Sequence, residues 1–554
     1  MHITKRHFLP ALLFLVVGVV LGMKLDSVYS TDDTFEQLKK LEDAFLVIDR
    51  QYVEAMDPKV MAESAISGML EALDPHSTFI SAEEVADVQE GYRGSFGGIG
   101  IWFEPAAAPE DTAKVTSTIP DGPSEVLGIM AGDRIVAIDD SSAIGMNSNA
   151  IQKRLKGPVG TQVKMTVKRR GATDPIDYVI TRGRIPLYSI DSAYMIDDQT
   201  GYIRIGRFAM STHKEFVEKL QALKAQGMQR LVLDLRDNPG GIKRAAVGVA
   251  DELLKGGGTI VYTKGRNPQE NEVDHSTPGG LFESQPVILL VNQNSASGSE
   301  IVAGALQDQD RALVVGRRTF GKALVQRPFS LSDGSILQIT VSRYYTPSGR
   351  LIQTPYKAGH IKEYYERKFA TLEEATFDPN TYLHDIPDSL KYTTVHGRTV
   401  FGGGGVMPDF VIAPDSTLPV YSPLVRVVRA RGLDVGFVRD WFSRHETGLR
   451  NRWTGRRNEF IRTYAVDEAL WKDFWRYSAE NGLNLVDTPT DKDPFTRSDA
   501  GADREILETL IKARLGQRLF RSDAAYPIYN KIDPEIIETM KLWDKAGKLA
   551  AIGQ

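Results

Sequence analysis

The stretch Val291–Gln326, VNQNSASGSEIVAGALQDQDRALVVGRRTFGKALVQ, holds the side chains with the most chemistry to offer: three serines after an apolar run and one lysine, Lys322, downstream. Gly316 to Lys322 fits the GxxxxGK of a phosphate loop. Such a loop needs Ser or Thr next to hold magnesium, and Ala323 stands there. Pro328, six residues on, spoils the helix whose N-terminus should face the phosphate. Lys322 therefore reads better as a proton acceptor. A serine hydroxyl is a poor nucleophile until a base takes its proton. No GxSxG elbow surrounds these serines and no histidine lies in the loop, so lysine is the remaining base.

To serve near neutrality, a lysine must drop from a pKa of about 10.4 to roughly 7 or 8, a shift of about 4 kcal/mol that burial can supply. Phe320, Ala323, Leu324 and Val325 are suitably apolar, and no acid stands within five residues of Lys322. Gln326, four positions on, falls on the same side of a helix or a strand. It would orient the amine without charging it.

Ser297-Gly298-Ser299-Glu300 reads as a capping box before a helix from Ile301 to Gln307. On residue types alone, Ser297 as a helix cap and Ser297 as a nucleophile both stand. A helix N-terminus also favours developing negative charge. The Gly298 N–H would be one oxyanion donor, and a glycine of Asn238-Pro239-Gly240-Gly241, either Gly240 or Gly241, the other; NPGG is equally an ordinary tight turn.

These residues need a frame. Strand-like runs at 201–208, 231–235, 287–291 and 312–316 alternate with helical segments at 214–226, 244–254 and 300–307, the pattern of a parallel sheet buried on both faces. Sites on such sheets form in loops beyond the carboxyl ends of the strands, here Arg236–Gly241 and Asn292–Ser299. Before this region, Ser95 to Arg184 is β-rich, with GGIGIWFE, DRIVAIDD and QVKMTVKRR separated by Gly and Pro, and one helix at 149–155. Apolar residues at helical spacing, Phe35, Leu38, Leu41, Phe45 and Ile48, put a helical region at the start of the body. From Tyr421 onward the chain is helical and rich in Arg, Trp and Phe, with the aromatics expected in a core.

With 554 residues the chain exceeds one core, and 42% apolar with 25% charged residues suits folded domains. A net charge of -5 gives no basic field for nucleic acid. The absence of cysteine excludes disulfides, thiolate catalysis and zinc ribbons, and the nine histidines form no metal-spaced pair, so no metal or other cofactor is expected. Lys5, Arg6 and His7 precede an apolar run, Phe8–Met23, of signal-sequence length. The expectation is a signal peptide, with small residues at Val28–Ser30, or a signal anchor, carrying the body to the periplasmic side of the inner membrane.

DLRDNPGG, NQNSASGSEIVAGALQD and GRRTFGKALVQ, in this order and separation, resemble the carboxyl-terminal processing peptidases, or tail-specific proteases. LDPHSTFIS, YYTPSGRLIQ and GGGGVMPDF resemble them too, so the likeness runs from about residue 34 to 415. It implies a serine endopeptidase with Ser297 as nucleophile, Lys322 as general base and Gln326 in support. Gly298 stands where alanine is common and Ala323 where glycine is common; neither change removes a reacting group. Some members assign an acid at the position of Asp308. Eleven residues of helix would put it roughly 16 Å from Ser297, so a structural role is expected.

The β-rich region resembles a PDZ domain through GGIGI, GPSEVLGIMAGDRIVAIDD and KGPVGTQVKMTVKR. PDZ domains add an extended peptide as a strand and hold its terminal carboxylate in backbone N–H groups. The resemblance places that loop at Phe96–Ile101, with Phe96, Gly98, Ile99, Gly100 and Ile101 binding the peptide and Ile99 and Ile101 lining its apolar pocket. The expected organisation is multidomain α/β: leader 1–30, N-terminal helical region 31–92, PDZ-like domain 93–184, serine-lysine peptidase core 185–418 and C-terminal helical domain 419–554. The expected partners are protein or peptide substrates with free carboxyl termini. The rival reading is a PDZ adaptor with an inactive peptidase body. The C-terminal helices would pack on the body, build an oligomer or hold a regulator.

Overall fold

The computed structural model describes residues 32–106, 111–119, 122–169, 171–366, 386–412 and 418–552. The leader at Phe8–Met23 and the residues Val28–Ser30 lie outside the described residues. No described helix is long and apolar enough to cross a membrane.

The centre is a six-stranded sheet in the order Ile190–Met195, Thr200–Ile205, Arg230–Asp234, Val287–Val291, Leu313–Gly316, Phe410–Val411. All neighbours from Thr200–Ile205 onward pair in parallel, and only the Ile190–Met195 edge is antiparallel. Every residue of Val287–Val291 is buried, as a strand covered on both faces must be. Successive side chains alternate between the faces. Leu231, Leu233 and Leu289 join one core, with the helices Thr212–Ala225, Lys243–Asp251 and Gly298–Asp308. Val232, Ile288 and Leu290 join another, with Ile536, Trp543 and Leu549. The last two helices of the chain, Pro534–Thr539 and Trp543–Ile552, thus close the second face.

The remaining C-terminal helices build their own core around Phe437, Phe442, Trp453 and Phe474, so the aromatic run is packing, as its spacing suggested. The PDZ-like unit has a sheet in the order Ile101–Glu104, Lys114–Thr118, Arg134–Ile138, Gln162–Lys168, Ile176–Thr181, all antiparallel. Its helix is Ser148–Leu155, capped by the Asn147 side chain on the Ala150 N–H at 2.9 Å. A strand Ser95–Gly98 pairs with Gly183–Pro186 at its base.

A sheet next to the lysine loop escaped the reading of the sequence, as did the small pair Lys391–Thr393 and Thr399–Phe401. Leu324–Ser330 and Ile336–Tyr345 form an antiparallel hairpin, joined by Thr78–Ile80, Thr259–Gly265 and Val273–His275. The stretch 31–92 is therefore not helical throughout: after the helices Asp32–Gln51 and Pro58–Glu71 it contributes the strand Thr78–Ile80 before the helix Val85–Arg93.

Trp543 is 9% exposed beneath the Arg230 guanidinium, 4.6 Å from the ring centroid. Trp543→Ala should cost about 3–5 kcal/mol in denaturant unfolding of the body built on the six-stranded sheet. A loss below about 1 kcal/mol would show that the C-terminal helices do not seal the sheet.

Candidate active site

The buried strand Val287–Val291 delivers the chain to Asn292–Ala296 and then to the helix Gly298–Asp308, whose residues are all buried. Between them Ser297 takes φ 52° and ψ -109°, a conformation that a side-chain-bearing residue rarely adopts. The loop is stitched to the neighbouring strand's loop. Ala296 N–H donates to Asn238 O at 3.0 Å, Ser299 Oγ to the same carbonyl at 2.9 Å, and Ser295 Oγ to Leu235 O at 2.8 Å. The two loops meet at Gly240, where an added Cβ would lie 2.7 Å from Ser297 Cβ and 2.6 Å from Ala296 O. Only glycine permits that approach.

Ser297 and Glu300 stand as in a capping box, but the bonds are unequal. Ser297 N–H donates to Glu300 Oε2 at 2.9 Å, whereas the Glu300 N–H already donates to the Ser297 carbonyl at 2.9 Å. Accepting the Glu300 N–H draws only on a lone pair of the Ser297 hydroxyl, so the cap leaves its proton free to be taken. Glu300 serves mainly in the other direction. Its buried carboxylate also accepts from Lys322 N–H at 2.8 Å, Gly321 N–H at 2.6 Å and Thr319 Oγ1 at 2.5 Å. Burial pushes its pKa up, while the Thr319 hydroxyl and the three backbone N–H groups pull it back toward the charged form. Tyr344, also buried, adds a second tie: its hydroxyl donates to Lys322 O at 2.8 Å and Ser297 O at 3.2 Å.

Lys322 and Ser297 thus face one cleft of about 630 Å³, which Gln326, Gly240 and Gly241 also line. No hydrogen bond joins Lys322 Nζ to Ser297 Oγ. Burial lowers the pKa of the amine below its ordinary 10.5, against the charges of Glu300 and Asp74, which raise it. Both acids are remote in sequence, so counting acids near Lys322 missed them. Asp74 is held by the N–H groups of His76 and Ser77 and by the Ser77 hydroxyl, at 2.9, 3.0 and 2.6 Å. Ala323 and Leu324 are buried as expected. Gln326 lies on the strand Leu324–Ser330 just after a register shift, and its Nε2 donates to Thr340 Oγ1 at 3.2 Å.

The expected oxyanion donors separate. Gly240 N–H donates to Asn238 Oδ1 at 2.8 Å, while the N–H groups of Gly241 and Gly298 have no acceptor among the described residues. An alanine at 298 would place its methyl 3.1 Å from the Phe208 ring, so glycine relieves a tight contact there. Asp308 sits at the far end of the buried helix, paired with Arg350 at 2.7 Å and bound by Ser348 N–H and Oγ at 3.0 and 2.7 Å, in line with a structural role.

The cleft wall also carries an apolar part, Ile80, Val85, Val88, Phe208, Ile301 and Ile336, beside the polar Gln89, Arg207, Lys243 and Gln338. Val85, Val88 and Tyr92 come from the helix Val85–Arg93, whose other side binds the PDZ-like unit. Lys156 reaches Glu90 at 2.8 Å and Asp87 at 2.9 Å while lying 5.0 Å over the Phe96 ring. In the expected peptide loop, Phe96 and Gly98 pair with Ile185 and Gly183. Gly100 has φ 77°, and its carbonyl accepts from Ile119 N–H at 2.9 Å. Ile99 is 2% exposed in the domain core, and Ile101 packs half-buried against that core. Ile101–Glu104 is an edge strand, the geometry that strand addition requires.

Comparison with known proteins gives three matches along the chain: peptidase family S41 at residues 199–362, a PDZ domain at 114–169, and the activating protease CtpB N-terminal domain at 22–84. A carboxy-terminal-processing protease of Bartonella bacilliformis is 35% identical over 355 residues, covering 63% of this chain and 80% of that protein. A probable CtpA-like serine protease of Staphylococcus epidermidis is 31% identical over 353 residues, covering 61% and 70%. A solved structure, the photosystem II D1 C-terminal processing protease, is 27% identical with a TM-score of 0.35, covering 70% of this chain and 94% of that one.

Between the lowered pKa of Lys322 and 10.5, the unfolded chain binds more protons than the folded one, so stability rises with pH across that window. Below it the buried ammonium is a net cost. Lys322→Met should raise stability at pH 7 by about 1 kcal/mol and flatten the rise on the alkaline side. Denaturant midpoints at several pH values check this; a lowered midpoint at pH 7 would contradict it.

Proposed function

The chain belongs to the carboxy-terminal-processing proteases of peptidase family S41, serine-type peptidases, and on that footing we propose that it cuts protein substrates near their carboxyl termini through a Ser297–Lys322 dyad and an acyl-enzyme. The observation that carries the proposal is the joint anchoring of both residues: one buried carboxylate binds the backbone N–H of each, and both side chains line one cleft.

In this mechanism the neutral Lys322 amine takes the Ser297 proton as Oγ attacks the scissile carbonyl carbon. The negative charge that develops on the carbonyl oxygen falls between the free N–H groups of Gly298 and Gly241. Collapse breaks the C–N bond, and the Lys322 ammonium returns its proton to the departing amine. A water molecule, deprotonated by Lys322, then hydrolyses the ester. Catalytic hydrogen bonds are often loose before substrate closes the site, which accords with the unbonded Nζ and Oγ. Gln326 shares the cleft wall and positions the amine. The apolar part of the lining, Val85, Val88, Phe208 and Ile301 among it, suits an apolar side chain beside the cut.

The PDZ domain holds the free tail by strand addition on Ile101–Glu104, with the Phe96–Ile101 loop at the carboxylate. The helix Val85–Arg93, tied to Lys156 on one side and walling the cleft on the other, supports a route for the tail from that domain to Ser297. The charged and apolar start of the chain supports export, with the body on the periplasmic side and the segment Phe8–Met23 as signal peptide or anchor.

Ser297→Ala and Lys322→Ala should each lower kcat by at least about a thousandfold on a tailed peptide while tail affinity persists. Mass spectrometry of a quenched reaction should find the acyl adduct on Ser297. Turnover retained in Ser297→Ala would refute the dyad, and tail binding without turnover in the unaltered chain would favour an inactive adaptor. Amidating the tail carboxylate should weaken binding about tenfold or more. Equal affinity for both tails would remove the carboxylate from recognition.

A further inference from the structure

The loops that carry the reacting groups are also gripped from behind, by residues near the end of the chain. Glu535, 6% exposed in the helix Pro534–Thr539, accepts from Arg236 Nη1 at 2.6 Å on one oxygen and from Arg317 Nη1 on the other. Asp533, which caps that helix on the Glu535 N–H at 2.9 Å, also pairs with Arg236 at 2.9 Å. Arg236 opens the loop that ends in Gly240 and Gly241. Arg317 opens the loop that ends in Lys322, and its Nε donates to Gln293 Oε1, in the serine loop, at 2.9 Å. One carboxylate therefore spans the oxyanion loop and the lysine loop, on the side opposite the cleft.

We propose that Glu535 is a positioning residue for peptide-bond cleavage, setting the spacing between the Gly241 N–H and Lys322 across Ser297. The proposal rests on the dyad described above. Asp234 is shared by Arg236, at 2.7 Å, and Arg204, at 3.0 Å, and the two guanidinium groups hold it well in the charged range despite burial. Asp533 and Glu535 balance the charge that Asp234 leaves, and of these three acids Glu535 is the one that also reaches Arg317 on the lysine loop. A buried ion network contributes little net stability, because desolvation offsets attraction, but it does select one arrangement of the groups that make it. A misplacement of about 1 Å in a catalytic group can cost up to about a hundredfold in rate. The three matched family regions stop at residue 362, so Glu535 lies outside all of them.

The test uses the full chain with Glu535→Gln, Arg317→Gln, Ser297→Ala and, as a control, Glu538→Gln, an acid in the same helix whose side chain is 44% exposed. Three quantities are read: kcat and KM on a tailed peptide, the rate at which a fluorophosphonate labels Ser297, and the affinity for the tail alone. For Glu535→Gln and Arg317→Gln, kcat and labelling should fall about tenfold or more, with KM and tail affinity within about twofold and Glu538→Gln unchanged. If Glu535→Gln does not fold, Arg317→Gln decides, since that side chain is 21% exposed and leaves the Arg236 pair intact. Unaltered kcat in a folded variant overturns the proposal. So does a fall in kcat matched by loss of tail affinity, which marks a general structural role. Activity in Ser297→Ala would instead overturn the dyad itself.

Discussion

The buried carboxylate of Glu300 is the interaction on which the rest of the structure depends. It takes the N–H of Ser297 from one side and those of Gly321 and Lys322 from the other, with the Thr319 hydroxyl as the fourth donor. Its desolvation is costly, as its raised pKa shows, and the bonds offset that cost only while all four donors keep their places. A serine held at positive φ and a lysine loop 25 residues away are thereby made one rigid body. Tyr344 repeats the tie through the two carbonyls. The same acid sets the electrostatic balance at Lys322. Burial drives the amine toward neutrality, and Glu300 and Asp74 keep its pKa from falling further.

Much of the fold was legible in the sequence because strands buried on both faces are continuous apolar runs and helices between them keep their own period. VILLV, LVLDL and the helix after Ser297 carried that signal, and the aromatics of the C-terminal helices were rightly assigned to packing. Among the site residues, Ser297, Lys322, Gln326 and Gly241 come together around one cleft. The antiparallel hairpin Leu324–Tyr345 was missed, since PFSLSDG breaks up its alternation and its partner strands are far away in sequence. Glu300 was visible only as a capping acid: S-x-x-E predicts the bond to Ser297 N–H, but nothing local reveals the lysine loop on its other side. Tyr344 stood inside a motif quoted for family resemblance, with no chemical role suggested by its neighbours. Asp74 stood in LDPHSTFIS, whose neighbours reveal its bonds to His76 and Ser77 but not its approach to Lys322, and Glu535 carried no signal, because Arg236 and Arg317 are hundreds of residues away along the chain.

The domains meet at the catalytic loops by two separate routes. The helix Val85–Arg93 joins the PDZ domain to the cleft wall through Lys156. The C-terminal helices touch the PDZ sheet through Arg521, which donates to Thr118 O at 2.7 Å, Arg450, which donates to Thr116 O at 2.9 Å, and the Arg518–Glu104 pair. They then continue to Arg236 and Arg317. Glycine makes the close assembly possible: at Gly405, φ 105°, an added Cβ would lie 2.4 Å from the Thr319 carbonyl, so Gly404 and Gly405 press directly on the lysine loop.

The most direct test of the Glu300 tether is the single-turnover acylation rate of Glu300→Leu with a tailed ester substrate, measured beside the affinity for the same tail. Glu300 Oε2 accepts from both Ser297 N–H and Lys322 N–H, a pair that an amide oxygen would keep, whereas leucine offers no acceptor and leaves neither residue held to a common point. Acylation slowed by about a hundredfold or more, with tail affinity kept, is the result this account requires. Acylation within a few-fold of the unaltered chain would contradict it.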